Sequence, residues 1–106
     1  MKKDTDLVLI DTIYAEKKYP HWKRVEVKKR FEYMGESFFV HKTWKYYTVT
    51  HVTSGRSVSY GGKTVSAAIE EAKKRLDSTG PETMKAIFEN SREWYNTEGK
   101  NLEVID

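Results

Sequence analysis

Residues 56–69 read Arg56-Ser57-Val58-Ser59-Tyr60-Gly61-Gly62-Lys63-Thr64-Val65-Ser66-Ala67-Ala68-Ile69, and the spacing of apolar residues changes within this stretch. Before the two glycines, apolar and polar residues alternate, which is the period of a β-strand with one buried face. After them, apolar residues recur every three or four positions, which is the period of an amphipathic helix. The stretch therefore predicts a strand that ends at the glycines and a helix that follows them.

The residues before this transition predict an antiparallel sheet of three to five strands within about residues 7–60. Alternation is clearest in residues 22–33, where Val25 and Val27 share one face while Arg24 and Glu26 share the other. Turn residues separate the strands, because Met34-Gly35-Glu36 and Thr53-Ser54-Gly55-Arg56 both favour hairpins. We expect strands in residues 7–14, 22–33, 38–42, 46–53 and 56–60.

A hairpin at Ser54-Gly55 that pairs His51 with Val58 fixes which side chains share each face of the sheet. The face expected to be buried carries Phe38, Val40, Tyr47, Val49, Val58 and Tyr60. The face expected to be exposed carries Phe39, His41, Thr43, Thr48, Thr50, Val52, Ser57 and Ser59.

Two helices are predicted after the sheet, near residues 64–78 and 81–96. Thr64 or Ser66 can cap the first helix, and Pro81 suits the first turn of the second. The apolar stripe of the first helix is Val65, Ala68, Ile69, Ala72 and Leu76. Strands followed by helices predict an α+β fold, with both helices packed on one face of an antiparallel sheet, in a single domain covering residues 1–106.

The composition limits the classes of protein to which the chain can belong. It has 106 residues, with three Trp, seven Tyr and four Phe, and aromatic content this high argues against disorder. It has no cysteine, which excludes disulfides and cysteine–zinc sites and favours an intracellular, cytoplasmic location. The apolar run 7–10 is too short for a signal peptide or a membrane span, so no membrane partner is expected.

Catalytic and metal-binding patterns are weak. The expected register puts His41 and His51 on opposite faces of the sheet, so they do not converge on a metal. Serine and threonine are abundant enough for a Ser–His pair to arise by chance, and no strand–turn–helix nucleophile motif occurs. We therefore expect no cofactor, no metal and no enzymatic activity. The Gly61-Gly62-Lys63-Thr64 segment suits either an anion-binding helix start or a plain turn.

Charge and aromatic residues leave two binding functions open. Residues 1–30 hold nine Lys/Arg against five Asp/Glu, whereas residues 64–106 hold six against nine. Segregated charge with tryptophans near the ends of elements favours a protein partner. The alternative is nucleic acid bound by the basic strand 23–30, although Glu26 and Glu32 leave its outer face only weakly positive. The candidate contact residues for either partner are Trp22, Arg24, Lys28, Arg30, Trp44, Arg56 and Lys63.

One part of the chain resembles known proteins. The segment 44–56 contains Thr50-His51-Val52-Thr53-Ser54-Gly55, and Lys63-Thr64 then begins a helix. This T-H-x-x-[ST]-G hairpin followed by a helix resembles small uncharacterised proteins of phages and mobile elements, and the β-β-β-α order resembles the arm-type DNA-binding domains of tyrosine integrases. The likeness covers about residues 38–76. It implies an accessory protein that binds and modulates a host protein, or binds DNA, and it supplies no catalytic residue.

Overall fold

The computed structural model describes residues 3–10 and 20–105 and has an α+β fold in which two helices follow the strands of a four-stranded antiparallel sheet. The strands are β1 Thr5–Ile10, β2 His21–Glu26, β3 Lys29–Tyr33, β4 Glu36–Thr43, β5 Tyr46–His51, β6 Ser57–Gly62 and β7 Val104–Ile105. The helices are α1 Val65–Thr79, α2 Pro81–Thr97 and a short 3₁₀ helix, Gly99–Asn101. The fold class predicted from the sequence is confirmed.

The strands form two sheets. The larger has the order β3-β4-β5-β6 and is antiparallel throughout. The smaller has the order β1-β2-β7, in which β1 and β2 are antiparallel and β7 pairs parallel to β2. The single strand predicted over 22–33 is in fact two strands in different sheets. The Val27 amide donates to the Asp4 carbonyl, whereas the next amide, that of Lys28, donates to the Val40 carbonyl of the larger sheet.

The helices cover one face of the larger sheet, as expected. Phe38, Val40 and Val49 are fully buried there. They belong to one core cluster with α1 and α2 residues Ala68, Ala72, Leu76, Met84 and Phe88. The apolar stripe predicted for α1 therefore faces the sheet. Thr64 is the cap, because its Oγ1 accepts a hydrogen bond from the Ala67 amide at 3.0 Å.

Most of the opposite face of the larger sheet is buried, which corrects the sequence-based expectation, although Thr43 and Ser57 are exposed as expected. Phe39 and Thr50 are fully buried, and His41 and Thr48 are 7% and 5% exposed. Phe39 packs in a second cluster with Val8 of β1 and with Val27, and Ile10, Val25 and Val52 pack against them. The apolar side of the β1–β2 hairpin therefore covers part of the face that was expected to meet solvent.

The register of β6 also differs from the expected one. Val49 pairs with Ser59 rather than with Tyr60, and two irregularities interrupt the pairing of β5 with β6. A bulge inserts an extra residue and changes which side chains face inwards. Ser59 is consequently buried, and its Oγ donates to the Ala68 carbonyl at 3.2 Å. Tyr60, expected in the core, is 65% exposed.

Candidate functional site

Trp22, a candidate contact residue, lies in the interior. Its side chain is 4% exposed, and its Nε1–H donates to the Gly99 carbonyl at 2.7 Å. Its ring packs edge-on against Trp94 and Tyr95, with centroid distances of 5.9 and 6.4 Å. This tryptophan joins β2 to the C-terminal end of α2 and is not available to a partner.

Arg24, Lys28 and Arg30, the candidate contact residues of strand 23–30, contact side chains of their own neighbourhood. Arg30 Nη2 lies 2.8 Å from Asp4 Oδ1, and its Nη1 lies 2.7 Å from Asp6 Oδ2, so Arg30 ties β3 to β1 and the residues before it. The hydrogen bond from Arg30 holds the pKa of Asp4 below its usual value. Lys28 Nζ lies 3.1 Å from Glu26 Oε1, and Arg24 Nη1 donates to Thr5 Oγ1 at 3.4 Å. Carboxylates thus offset the charges of Lys28 and Arg30, which would otherwise attract a phosphate backbone.

The remaining candidates, Trp44, Arg56 and Lys63, are exposed. Trp44 and Lys45 form the two-residue loop between β4 and β5, and Trp44 is 85% exposed. Arg56 is the last residue of the turn between β5 and β6. Lys63 follows Gly62, where a Cβ atom would lie 2.7 Å from the Ala68 Cβ. The need for glycine at position 62 is therefore explained by the close approach of α1, without any bound anion.

A groove lies between β6, the second half of α1 and the middle of α2. It has a volume of about 700 Å³ and is open to solvent. Apolar side chains dominate its surface, namely Val58, Leu76, Met84, Ile87 and Phe88. Ile87 follows the helical spacing of the buried residues Met84 and Phe88, but it is 44% exposed. No local sequence signal marks this groove, because three separate segments form it.

The rim of the groove is mainly basic. Arg56, Lys74 and Arg75 line it together with one carboxylate, that of Glu71. Arg75 Nη2 lies 3.2 Å from Glu71 Oε1, and its guanidinium lies 5.5 Å from the centre of the Tyr60 ring. Three cations against one anion give these lining residues a net charge of +2. The groove thus combines an apolar floor with a positive rim.

At one end of the groove, four polar side chains form a continuous hydrogen-bonded chain. Ser54 Oγ lies 2.9 Å from His51 Nδ1, and His51 Nε2 lies 2.8 Å from Glu36 Oε1. Glu36 Oε2 then accepts from Arg92 Nη1 of α2. Because a carboxylate can only accept, His51 carries its proton on Nε2 and Ser54 donates to Nδ1. We call these four residues the Ser54–Arg92 relay.

The serine and histidine of the relay are buried and hydrogen-bonded, whereas the Arg92 side chain at its other end is exposed. Ser54 and His51 are 5% and 4% exposed, and Ser54 Oγ also accepts the Arg56 amide at 3.2 Å. Burial lowers the pKa of His51 below its usual value, while the hydrogen bond to Glu36 opposes that shift. The neutral imidazole lies between Phe38 and Phe88, at centroid distances of 5.4 and 4.9 Å. The serine, histidine and carboxylate of the relay match the residue types of a nucleophilic triad, but the Ser54 hydroxyl is held by hydrogen bonds within its own turn. The relay instead links α2 to the sheet.

Among residues 3–10 and 20–105, no group of three or more His, Asp or Glu side chains could hold a metal ion. No helix in this part of the chain is long and apolar enough to cross a membrane. Comparison with protein-family models, with curated proteins and with solved structures finds no match to this chain.

Proposed function

We propose that the protein is a non-enzymatic binding protein that modulates another protein, and that an acidic segment of the partner carrying a large apolar side chain docks in the groove between β6, α1 and α2. The observation that carries the proposal is the apolar floor beneath a rim of net charge +2. As the hairpin resemblance implies, the biological role would be that of a phage or mobile-element accessory protein acting on a host protein.

The chemistry of the groove favours a protein segment. Ile87 remains 44% exposed at the floor, so an apolar side chain from a partner would remove further apolar surface from water. Arg56 and Lys74 can then meet carboxylates that flank this anchor, and charge complementarity of that kind selects partners and speeds their association. Because the groove is open along the surface, a chain that continues beyond the anchor can enter and leave it.

Affinity capture with matched variants tests this proposal. Immobilised wild-type, Ile87→Asp and Ala86→Asp proteins are exposed to nuclease-treated lysate of the source cells, and retained proteins are identified by mass spectrometry. Ala86 is the control, because it is exposed on the same helix and does not line the groove. We expect partners held by wild type and Ala86→Asp to be reduced about tenfold or more on Ile87→Asp, the loss of one buried apolar anchor.

A second comparison addresses the rim. Arg56→Glu combined with Lys74→Glu should weaken the same interaction and remove most of its salt dependence, because those cations provide the steering charge. Circular dichroism confirms that each variant is folded. Equal recovery by all variants, or recovery that nuclease abolishes, would refute the proposal.

A further inference from the structure

The tip of the β4–β5 hairpin displays an unusual residue. Trp44 has a φ of +59°, a left-handed conformation that is a rare outlier for a bulky side chain. A glycine would adopt this conformation without steric cost. The indole is nevertheless 85% exposed, so its contacts within the chain do little to explain why tryptophan occupies the position. Strained residues of this kind concentrate where a chain binds something.

Lysines lie at the same end of the larger sheet as this tryptophan. Residues 37–69 contain no Asp or Glu, and their four Lys/Arg are Lys42, Lys45 and Lys63 at this end and Arg56 in the turn at the other end. Lys45 Nζ lies 5.0 Å from the Trp44 ring centre, and Lys42 Nζ lies 5.7 Å from the Tyr47 ring centre. Lys42 pairs with Tyr47, and Tyr47 pairs with Gly62. Lys63, which follows Gly62, therefore lies at the same end of these strands. Tyr46, the first residue of β5, is 40% exposed and faces the opposite side of the sheet from Lys42, which pairs with Tyr47. We call Lys42, Trp44, Lys45, Tyr46 and Lys63 the tip surface, which extends over both sides of the hairpin end.

We infer that the tip surface binds single-stranded nucleic acid, independently of the groove. Exposed aromatic rings with adjacent lysines are the combination that recognises single strands, since every base offers a π-face and each phosphate a negative charge. A duplex hides its base faces, so a stacking tryptophan favours the single strand. The site differs from the basic strand 23–30, whose Arg30 and Lys28 are paired with carboxylates.

Fluorescence anisotropy with a labelled oligothymidylate of about 20 nucleotides tests the inference, at about 50 mM salt where phosphate contacts are strong. Trp44→Gly should weaken binding about 5- to 150-fold, the range for loss of one stacking aromatic. The double variant Lys42→Glu with Lys45→Glu should also weaken binding, and its affinity should depend less on salt than that of the wild type. The matched control is Arg24→Glu with Lys28→Glu, an equal charge reversal on strand 23–30, which should have a much smaller effect.

Intrinsic fluorescence gives a second readout. Trp22 is buried and Trp94 is half-buried, so saturating oligothymidylate should protect mainly Trp44 from acrylamide quenching. Ile87→Asp should leave oligonucleotide affinity unchanged, which separates this inference from the groove proposal.

Four outcomes would overturn the inference: no binding at tens of micromolar protein, equal affinity for a duplex of the same length, no effect of Trp44→Gly, or binding to anionic lipid vesicles without binding to the oligonucleotide. A stronger effect of the strand 23–30 control than of the tip variants would overturn it as well, because that result places the contact on β2 and β3.

Discussion

Replacing Gly55 by alanine should be among the most destabilising changes available in a loop of this protein. Gly55 has a φ of +67°, and a Cβ atom there would lie 2.1 Å from Trp22 Cζ3 and 2.8 Å from the Leu9 amide nitrogen. Trp22 cannot move aside without losing its hydrogen bond to Gly99 and its packing on Trp94 and Tyr95.

The magnitude follows from these contacts. Left-handed backbone costs alanine roughly 1–2 kcal/mol. The displaced hydrogen bond adds about 0.5–1.5 kcal/mol, and each of two aromatic contacts adds about 0.5–1.5 kcal/mol. We expect the free energy of unfolding to fall by roughly 2.5–6.5 kcal/mol, a large part of the ~5–15 kcal/mol of a typical domain.

Gly35→Ala is the matched control. Gly35 has a φ of +75°, yet a Cβ atom there meets nothing within 4 Å. The free energy of unfolding of this variant should therefore fall only by the cost of a left-handed backbone for alanine, about 1–2 kcal/mol. Urea unfolding followed by far-ultraviolet circular dichroism compares the two, and Trp22→Phe combined with Gly55→Ala should destabilise less than the sum of the single changes. Equal losses for Gly35→Ala and Gly55→Ala would refute the packing of Trp22 over Gly55.

The remaining predictions concern the two buried histidines, the ion pair of Arg30 with Asp4, and an exposed and a buried tryptophan. Burial lowers the pKa of both His41 and His51. As the pH drops below about 6.5, these histidines are protonated in the unfolded chain but stay neutral in the folded state. The free energy of unfolding should therefore fall with pH in this range. For His51, the facing charges are Glu36 of β4 and Arg92 of α2, and a flat unfolding profile between about pH 7 and 5 would contradict this sign. Arg30→Met should raise the pKa of Asp4 towards its usual value, measured by NMR titration of the carboxyl, and an unchanged pKa would mean that Arg30 does not contact Asp4. Trp44→Gly should leave the free energy of unfolding unchanged or raise it, because glycine adopts the positive φ of this position without steric cost, whereas Trp22→Phe should lower it clearly in the same urea experiment.

The element order could be predicted from the sequence because it depends on local periodicity. The change after Gly62, the Thr64 cap and the turn at Gly55 each rest on a few adjacent residues, and the structure confirms them. The division of residues 22–33 between two sheets could not be predicted in this way. Alternation continues across Val27 and Lys28, and only the partners of their amides, Asp4 and Val40, reveal the division.

A signal for the second buried face was nonetheless present. Phe38-Phe39-Val40 are three consecutive apolar residues, a pattern typical of a strand covered on both sides. The bulges in β6 have no comparable signal, so Tyr60 was placed in the core when Ser59 belongs there. The groove and the relay bring together residues from β4, the β5–β6 turn, α1 and α2, and such long-range placement depends on tertiary packing.

The parallel pairing of β2 with β7 has a consequence for the order in which the chain folds. Trp22 lies opposite Val104, so the smaller sheet is complete only after residues 104–105 have been synthesised. The larger sheet and α1 are contiguous within residues 29–79 and close through short loops, which is the arrangement that forms quickly. During synthesis, the edge of β2 that later receives β7 would stay unpaired, and an open strand edge can recruit other chains. Residues 104–105, two of the least conspicuous in the sequence, thus close an edge of β2 that stays open while residues 27–103 are synthesised.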